Sequence, residues 1–328
     1  MDNLVAVSFE PVEGGREAIL AQLQGFADVV FLPDLETQAR AVAVARARVL
    51  FASHFFRGEI TEDEWEAFAA LEFIQTLYAG VEKTPFHLVP KDVLLASNAG
   101  TFAEPLAEQV LTLALACAKR LFPKYAGMKA GQFDRNPTNR YLGNGTCLIV
   151  GFGGIGKAVA GRMRALGMKI WGVNRSGRSD EPVNRIGTMA DLDEMLPEAD
   201  VVVLCLPLTP GSRGMVNHAR LRRMKPDAIL VNVGRGALVE EEDLYRHLLT
   251  HPDFFYGADV WWDEPDGNAP FSMRFPFLDR PNVAGTPHNA DRVPGMDLEA
   301  TGVAARNIRR FLEKEKPLNI VNPSDYSG

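Results

Sequence analysis

Two stretches of this chain carry residue types that do chemistry only in combination. The first is Cys147-Leu148-Ile149-Val150-Gly151-Phe152-Gly153-Gly154-Ile155-Gly156, an apolar run entering a G-x-G-x-x-G turn. Behind it Ile155, Val159, Met163 and Leu166 recur at helical spacing, and Gly167 offers a C-terminal stop. In a strand–turn–helix the glycines act differently. Gly151 permits the tight turn, Gly153 lets backbone approach a pyrophosphate, and Gly156 lets helix and strand pack closely. Phe152, Gly154 and Ile155 complete the loop, and the helix start turns unpaired N–H groups and a positive dipole end toward phosphate. A second strand, Lys169-Ile170-Trp171-Gly172-Val173, follows at once, the context that makes such a turn a dinucleotide site.

A dinucleotide fold places Asp or Glu about 20 residues on, against the adenosine ribose. Here the strand runs into Asn174-Arg175-Ser176-Gly177-Arg178, and Asp180 and Glu181 come late. An Asp at the strand end would repel a 2′-phosphate. Arg175 can pair with it through two parallel bonds, and Ser176 can donate another. The expected cofactor is therefore NADP(H), with NAD(H) the alternative. In that alternative Arg175 and Arg178 are solvated charges and Asn174 holds the ribose.

The second constellation is spread over three strand ends: Val231-Asn232-Val233-Gly234-Arg235-Gly236, then Gly257-Ala258-Asp259-Val260-Trp261-Trp262-Asp263-Glu264-Pro265, then Gly285-Thr286-Pro287-His288. Open α/β sheets bind ligands at such ends. Arg235 can clamp an anionic substrate group. His288 can exchange a proton with a carbonyl or hydroxyl oxygen, and Glu264, paired with the imidazole, would orient it and favour its protonated form. Taken singly, Arg235 reads equally as a structural charge, His288 as a core histidine and Glu264 as a surface carboxylate. Their order and spacing favour a site.

The elements that must position these residues alternate along the chain. Leu4–Phe9, Val29–Leu32, Val49–Ala52, Phe73–Leu77 and Val93–Leu95 read as buried strands. Between them Glu17–Gln24, Leu35–Ala45 and Thr61–Ala70 read as helices, with Asp34 and Thr61 as N-caps. A long helix, Glu104 to Arg120, leads into the glycine turn; Val201–Leu206, Ala228–Val233, Phe255–Val260 and Asn282–Ala284 continue a second sheet. A final helix, Met296 to Lys314, carries Leu298, Val303, Ile308 and Phe311. This alternation predicts α/β architecture: two doubly wound parallel-sheet domains, a flavodoxin-like substrate domain (1–99 plus 295–328) and an inserted Rossmann dinucleotide-binding domain (100–294).

At 328 residues the chain suits two domains. With 35 Lys+Arg against 42 Asp+Glu its formal charge is −7, and no long basic run appears, so nucleic acid is not an expected partner. The start, from Met1 to Glu10, reads as a strand rather than a signal peptide, and no apolar run approaches a membrane span of about 20 residues. The expectation is a cytoplasmic protein with no membrane partner. Cys117, Cys147 and Cys205 lie in apolar surroundings and read as reduced core residues, with no metal site. His247 and His251, four apart on a helix, read as a surface pair.

In their order these motifs closely resemble the D-isomer-specific 2-hydroxyacid dehydrogenase family, which includes phosphoglycerate dehydrogenases and glyoxylate/hydroxypyruvate reductases. The resemblance runs from about Ala79 to Pro323. It comprises the glycine loop, Ala199-Asp200-Val201 through Leu206-Pro207-Leu208-Thr209-Pro210, the G-R-G motif, Asp-Glu-Pro and Thr-Pro-His. The Arg-to-Glu separation, 264 − 235 = 29, fits the family spacing. The resemblance implies an oxidoreductase in which Arg235, Glu264 and His288 are catalytic. It also implies that the backbone amides of Ala79 and Gly80 bind the substrate carboxylate together with Arg235. Asp259 would hold the nicotinamide carboxamide, and Pro207, Val233 and Ala290 would line the cofactor. The substrate would be a small 2-oxo or 2-hydroxy acid, and the assembly a homodimer through the dinucleotide-binding domain. Trp261 and Trp262 are expected to pack or line the cleft wall. Phe55, Phe56, Tyr78 and Trp261 bear on pocket size. Asn289 stands where members carry a small or apolar residue, and the segment Asp134 to Asn144 is short beside many members. The rivals are a nucleotide-sensing corepressor on the same fold and formate- or phosphite-type dehydrogenases. Formate members pair their histidine with Gln, where this chain has Glu264; phosphite members carry Lys where Ala79 stands.

Overall fold

A computed structural model of the chain describes residues 3–55, 58–136, 138–265 and 269–326; Phe56 and Pro137 lie outside the described residues. The chain divides into two compact units, Met1–Phe102 with Val293–Gly328, and Ala103–Arg292.

The first unit runs β1 (Leu4–Val7), α1 (Gly15–Leu23), β2 (Asp28–Phe31), α2 (Thr37–Arg46), β3 (Val49–Ala52), α3 (Glu62–Ala67), β4 (Phe73–Thr76) and β5 (Leu94–Ala96). Its sheet is parallel in the order β2-β1-β3-β4-β5, the flavodoxin-like arrangement. Every residue of β1, β3 and β4 is buried, because helices cover both faces; hence their unbroken apolar runs. Thr61 caps α3 as expected, in a reciprocal capping box with Glu64. Asp34 does not cap α2. Pro33 sets a short 3₁₀ turn, Leu32–Asp34, so the helix starts later, and the Asp34 carboxylate pairs with Arg16 instead.

The second unit runs α4 (Ala103–Ala118), α5 (Leu121–Lys129), β6 (Thr146–Val150), α6 (Gly154–Ala165), β7 (Lys169–Val173), β8 (Arg185–Gly187), α7 (Leu192–Met195), β9 (Val201–Leu204), α8 (His218–Leu221), β10 (Ile229–Asn232), α9 (Glu241–Thr250), β11 (Phe255–Ala258) and β12 (Val283–Gly285). All seven strands are parallel, in the order β12-β11-β10-β9-β6-β7-β8. This is the Rossmann winding with one added strand, and the order reverses between β6 and β9. Alternate residues of one strand enter different cores. Leu148, Val150, Val202, Leu204 and Leu230 pack on one face, and Cys147, Ile149, Val201, Val203 and Val231 on the other.

The long helix ends two residues before Arg120, which takes φ +51° and donates its N–H to the Cys117 carbonyl at 3.0 Å. The chain then turns into α5, where every residue is exposed or half-buried. The first unit regains the chain at α10 (Met296–Leu312). That helix buries Ala300, Ala304, Ala305 and Ile308, whereas Leu298 stays 38% exposed.

Candidate active site

The glycine loop follows β6, next to the point where strand order reverses. Gly151 sits at φ +101°, and its N–H and that of Phe152 both donate to the Val173 carbonyl at 2.9 Å, fixing the turn to β7. A Cβ on Gly151 would lie 2.6 Å from the Cys205 carbonyl oxygen, and one on Gly156 would collide with the Gly151 carbonyl. Gly153 is different: a Cβ there meets nothing within 4 Å among the described residues. The first bond of α6 runs from Lys157 N–H to the Gly153 carbonyl, 2.9 Å, so the N–H groups of Gly154, Ile155 and Gly156 precede the helix's own ladder. Open space at Gly153 beside unladdered donors fits the pyrophosphate of a dinucleotide. Phe152 supports the loop from below. Its ring is buried over Gly172, where a Cβ would come within 2.6 Å of it.

After β7, the Asn174 side-chain oxygen accepts from Ser176 N–H (3.1 Å), Ser176 Oγ (3.2 Å) and Gly177 N–H (2.8 Å), and its amide donates to the Arg178 carbonyl at 2.8 Å. Arg175 and Arg178 are exposed. The late carboxylate, Asp180, pairs with Lys157 in the first turn of α6, and that pairing holds it below the usual carboxylate range. Pro207 is exposed, and its carbonyl accepts from Ser212 Oγ at 2.8 Å. Val233 offers only backbone to a ligand, because its side chain is 4% exposed in the core.

Arg235 is half-buried and extended at the end of β10, its Nη1 donating to the Gly234 carbonyl at 2.7 Å. Asn232, which sequence reasoning passed over, shapes this loop. Its amide donates to the Arg235 carbonyl (2.8 Å), and its oxygen accepts from Gly234 N–H (3.1 Å). Gly236 lies so close to the Trp261–Trp262 peptide that a Cβ would come within 2.6 Å of Trp262 N. The missing side chain therefore seats the arginine loop on the glutamate loop.

Glu264 accepts from Trp261 N–H at 2.9 Å through one oxygen and meets His288 Nδ1 at 2.6 Å through the other. Their side chains are 34% and 40% exposed. The Glu264 hydrogen bond raises the imidazole above its ordinary range, outweighing burial and the Arg235 charge, which lower it. For Glu264, burial pushes up, yet the His288 bond and charge, the Trp261 N–H and Arg235 together leave it lowered. The pair thus favours imidazolium beside carboxylate, an acid with Nε2 left for a substrate oxygen.

His288 itself adopts φ +50°, a left-handed conformation uncommon for any residue but glycine. Asp259, 2% exposed, holds it there. Its oxygens accept from Asn289 N–H (3.3 Å), Ala290 N–H (3.2 Å) and Thr286 Oγ1 (2.6 Å), and Thr286 is anchored by Gln109 Nε2 of α4 at 2.7 Å. Gln109 and Thr286 left no separate signal in the sequence. Both tryptophans pack: Trp261 donates to the Thr286 carbonyl at 2.9 Å, and Trp262 to that of Val239 at 2.7 Å while stacking on Phe277.

In the first unit, Ala79 is exposed and Gly80 half-buried after β4. Among the described residues no backbone carbonyl accepts from either amide, and Tyr78 before them is fixed by Thr76 Oγ1 on its carbonyl at 2.7 Å. His247 is not a surface residue. It is 6% exposed and stacks on His251 at 3.9 Å, because α9 turns it inward against Phe254. No group of three or more His, Cys, Asp or Glu able to hold a metal occurs among the described residues. None of their helices is long and apolar enough to cross a membrane. Cys117 and Cys147 are buried and Cys205 half-buried; burial pushes the Cys117 and Cys205 thiols up to about 12.

Residues 111–290 match the family model for the NAD-binding domain of D-isomer-specific 2-hydroxyacid dehydrogenases. The chain is 32% identical over 238 residues to the glyoxylate/hydroxypyruvate reductase B of Pectobacterium carotovorum, covering 71% of this chain and 73% of that one. It is 34% identical over 242 residues to the glyoxylate reductase of Thermococcus kodakarensis, covering 71% and 70%. A crystal structure from Pyrobaculum aerophilum, provisionally described as a formate dehydrogenase, superposes with a TM-score of 0.82 at 29% identity, covering 98% of this chain and 99% of that one. Matched over more than half its length by that model, and over more than two thirds by such reductases, the chain belongs to the D-isomer-specific 2-hydroxyacid dehydrogenases and is an NAD(P)-dependent oxidoreductase.

Proposed function

We propose that the chain reduces a small 2-oxo acid of the glyoxylate or hydroxypyruvate kind to the D-2-hydroxy acid, with NADPH preferred over NADH. The observation that carries this reading is the 2.6 Å His288–Glu264 pair, a charged acid assembled on the unit that also holds the glycine loop. The names of the two reductase relatives support the substrate class. In this reading Arg235 clamps the substrate carboxylate. When bound, the reduced nicotinamide supplies hydride to the carbonyl carbon. His288 gives the proton to the oxygen from Nε2, and Glu264 steadies the imidazolium until then. Asp259 and the backbone of Val233, Pro207 and Ala290 hold the nicotinamide side. Arg175 and Ser176 take the 2′-phosphate.

A homodimer belongs to this proposal. The face of α5 exposes Leu121, Phe122, Tyr125 and Met128, with Phe133 and Tyr141 73% and 75% exposed beyond it. A patch of this size on one element suits a self-complementary contact with a second copy. A cytoplasmic location completes the reading.

The test is steady-state kinetics on His288→Gln and Arg235→Lys. Loss of a positioned acid costs about 10²–10⁴ in kcat, so His288→Gln falls at least a hundredfold while still binding NADPH. Arg235→Lys keeps charge without the planar fork and shows raised KM with lowered kcat. Near-normal turnover by His288→Gln refutes the assignment of the acid.

A further inference from the structure

We infer that Asn174 is a positioning residue for the cofactor's 2′-phosphate. The inference rests on the NADPH reading above and concerns how this chain achieves it. Asn174 occupies the first position after β7, where a dinucleotide fold carries its ribose-binding carboxylate. An asparagine there could offer its side-chain oxygen to a ribose hydroxyl, but this oxygen is already committed. Its oxygen takes three donors, from Ser176 N–H, Ser176 Oγ and Gly177 N–H, and one of its two amide N–H groups closes onto the Arg178 carbonyl. An amide oxygen has two lone pairs, so three donors leave it no capacity for a hydroxyl.

The bonds draw residues 174–178 into a closed ring. Gly177 completes the ring at φ +62°, packed so that a Cβ would lie 3.1 Å from Thr188 Cγ2. The Ser176 hydroxyl also accepts from Arg178 N–H at 3.3 Å. Beyond the ring, Ser179 Oγ accepts from Glu181 N–H at 2.9 Å, and Asp180 is tied to Lys157 on α6. The loop is thus fastened at both ends, to itself at Asn174 and to the glycine-loop helix at Lys157. What it presents outward is Arg175 and Arg178, two exposed residues on either side of Ser176. A phosphate dianion is the group such a set recognises. Long arginine side chains lose less freedom on binding when the backbone beneath them is already fixed. An aspartate at this position could accept from the same N–H groups but could not donate to the Arg178 carbonyl, and it would put a negative charge beside the phosphate, so asparagine builds the ring without the repulsion.

The experiment is calorimetric titration of the whole protein with adenosine 2′,5′-bisphosphate and with adenosine 5′-monophosphate, for the unaltered chain, Asn174→Ala and Asn174→Ser. The quantity read is the ratio of the two affinities. The unaltered chain should prefer the bisphosphate at least about tenfold. Asn174→Ala should lose most of that preference, and Asn174→Ser, whose hydroxyl can accept from the same N–H groups more weakly, should fall between. Should Asn174→Ala not fold, the serine variant carries the test. A preference undiminished in the variants overturns the role of Asn174 while leaving the NADPH reading in place. No preference in the unaltered chain overturns the NADPH reading, and this inference with it.

Discussion

Gly153→Ala separates contact with the cofactor from stability of the fold. A Cβ on Gly153 meets nothing within 4 Å among the described residues, and its φ of −101° lies outside the left-handed region. Restricting the unfolded chain gains about 0.4–1 kcal/mol. Placing alanine at a helix N-cap costs a similar amount, up to about 1 kcal/mol. The two nearly cancel, so without cofactor the melting temperature should move by no more than about 2 °C. The space the methyl fills is where a pyrophosphate would approach the N–H groups of Gly154 and Ile155. Losing even one charge-assisted hydrogen bond costs about 1.5–3 kcal/mol, a ten- to hundredfold rise in the Kd for NADPH. Gly151→Ala is the contrast. At φ +101°, and 2.6 Å from the Cys205 carbonyl oxygen, a Cβ brings both strain and a backbone collision. Destabilisation of about 2–4 kcal/mol should follow, lowering the melting temperature by about 5–10 °C. Thermal melts without cofactor and calorimetric titration with NADPH decide it. If Gly153→Ala melts as early as Gly151→Ala, or binds NADPH as tightly as the unaltered chain, the reasoning about this loop is wrong.

Other expectations concern protons and strain. Glu264 raises the His288 pKa, and the proposed reduction would draw its proton from the protonated ring. Glu264→Gln should therefore shift the upper limb of the kcat/KM profile for reduction to lower pH, which a pH series measures. His247 is depressed from 6.5 to about 4 by burial, with the charges of His251 and His218 adding to it, and its buried Nε2 finds no partner among the described residues. Because the unfolded chain takes the proton more readily, this neutral ring's contribution is full above pH 6.5 and fades as pH falls toward 4. His247→Gln should flatten that part of the melting-temperature profile. His288→Asn relieves a left-handed residue but removes the partner of Glu264, so the melting temperature should change little while turnover falls by about a hundredfold or more.

Much of this fold was legible because parallel strands buried on both faces leave continuous apolar runs, as Val49–Ala52 and Val201–Leu204 do. The short edge strand Arg185–Gly187 has one apolar side chain, Ile186, and left no such mark. The long helix was read to within two residues of its end, but α5 after it was not, because none of its residues is buried. Of the site, Glu264 and His288 were legible from motif order, and they do meet. Their support was not. Gln109 reaches Thr286 across 177 residues, and Gly236 matters through a peptide that only folding brings near. His247 misled because four-residue spacing says that two side chains share a helix face, not which way the face points.

D-specific reduction of a 2-oxo acid with hydride from NADPH is the proposal on which the roles of Arg235, His288 and Glu264 depend. Incubating the protein with hydroxypyruvate and NADPH, and resolving the glycerate formed by chiral chromatography, tests it at the level of the product. NADPH consumption should be matched one for one by D-glycerate. L-glycerate as the product, or no NADPH oxidation with either hydroxypyruvate or glyoxylate, would contradict it.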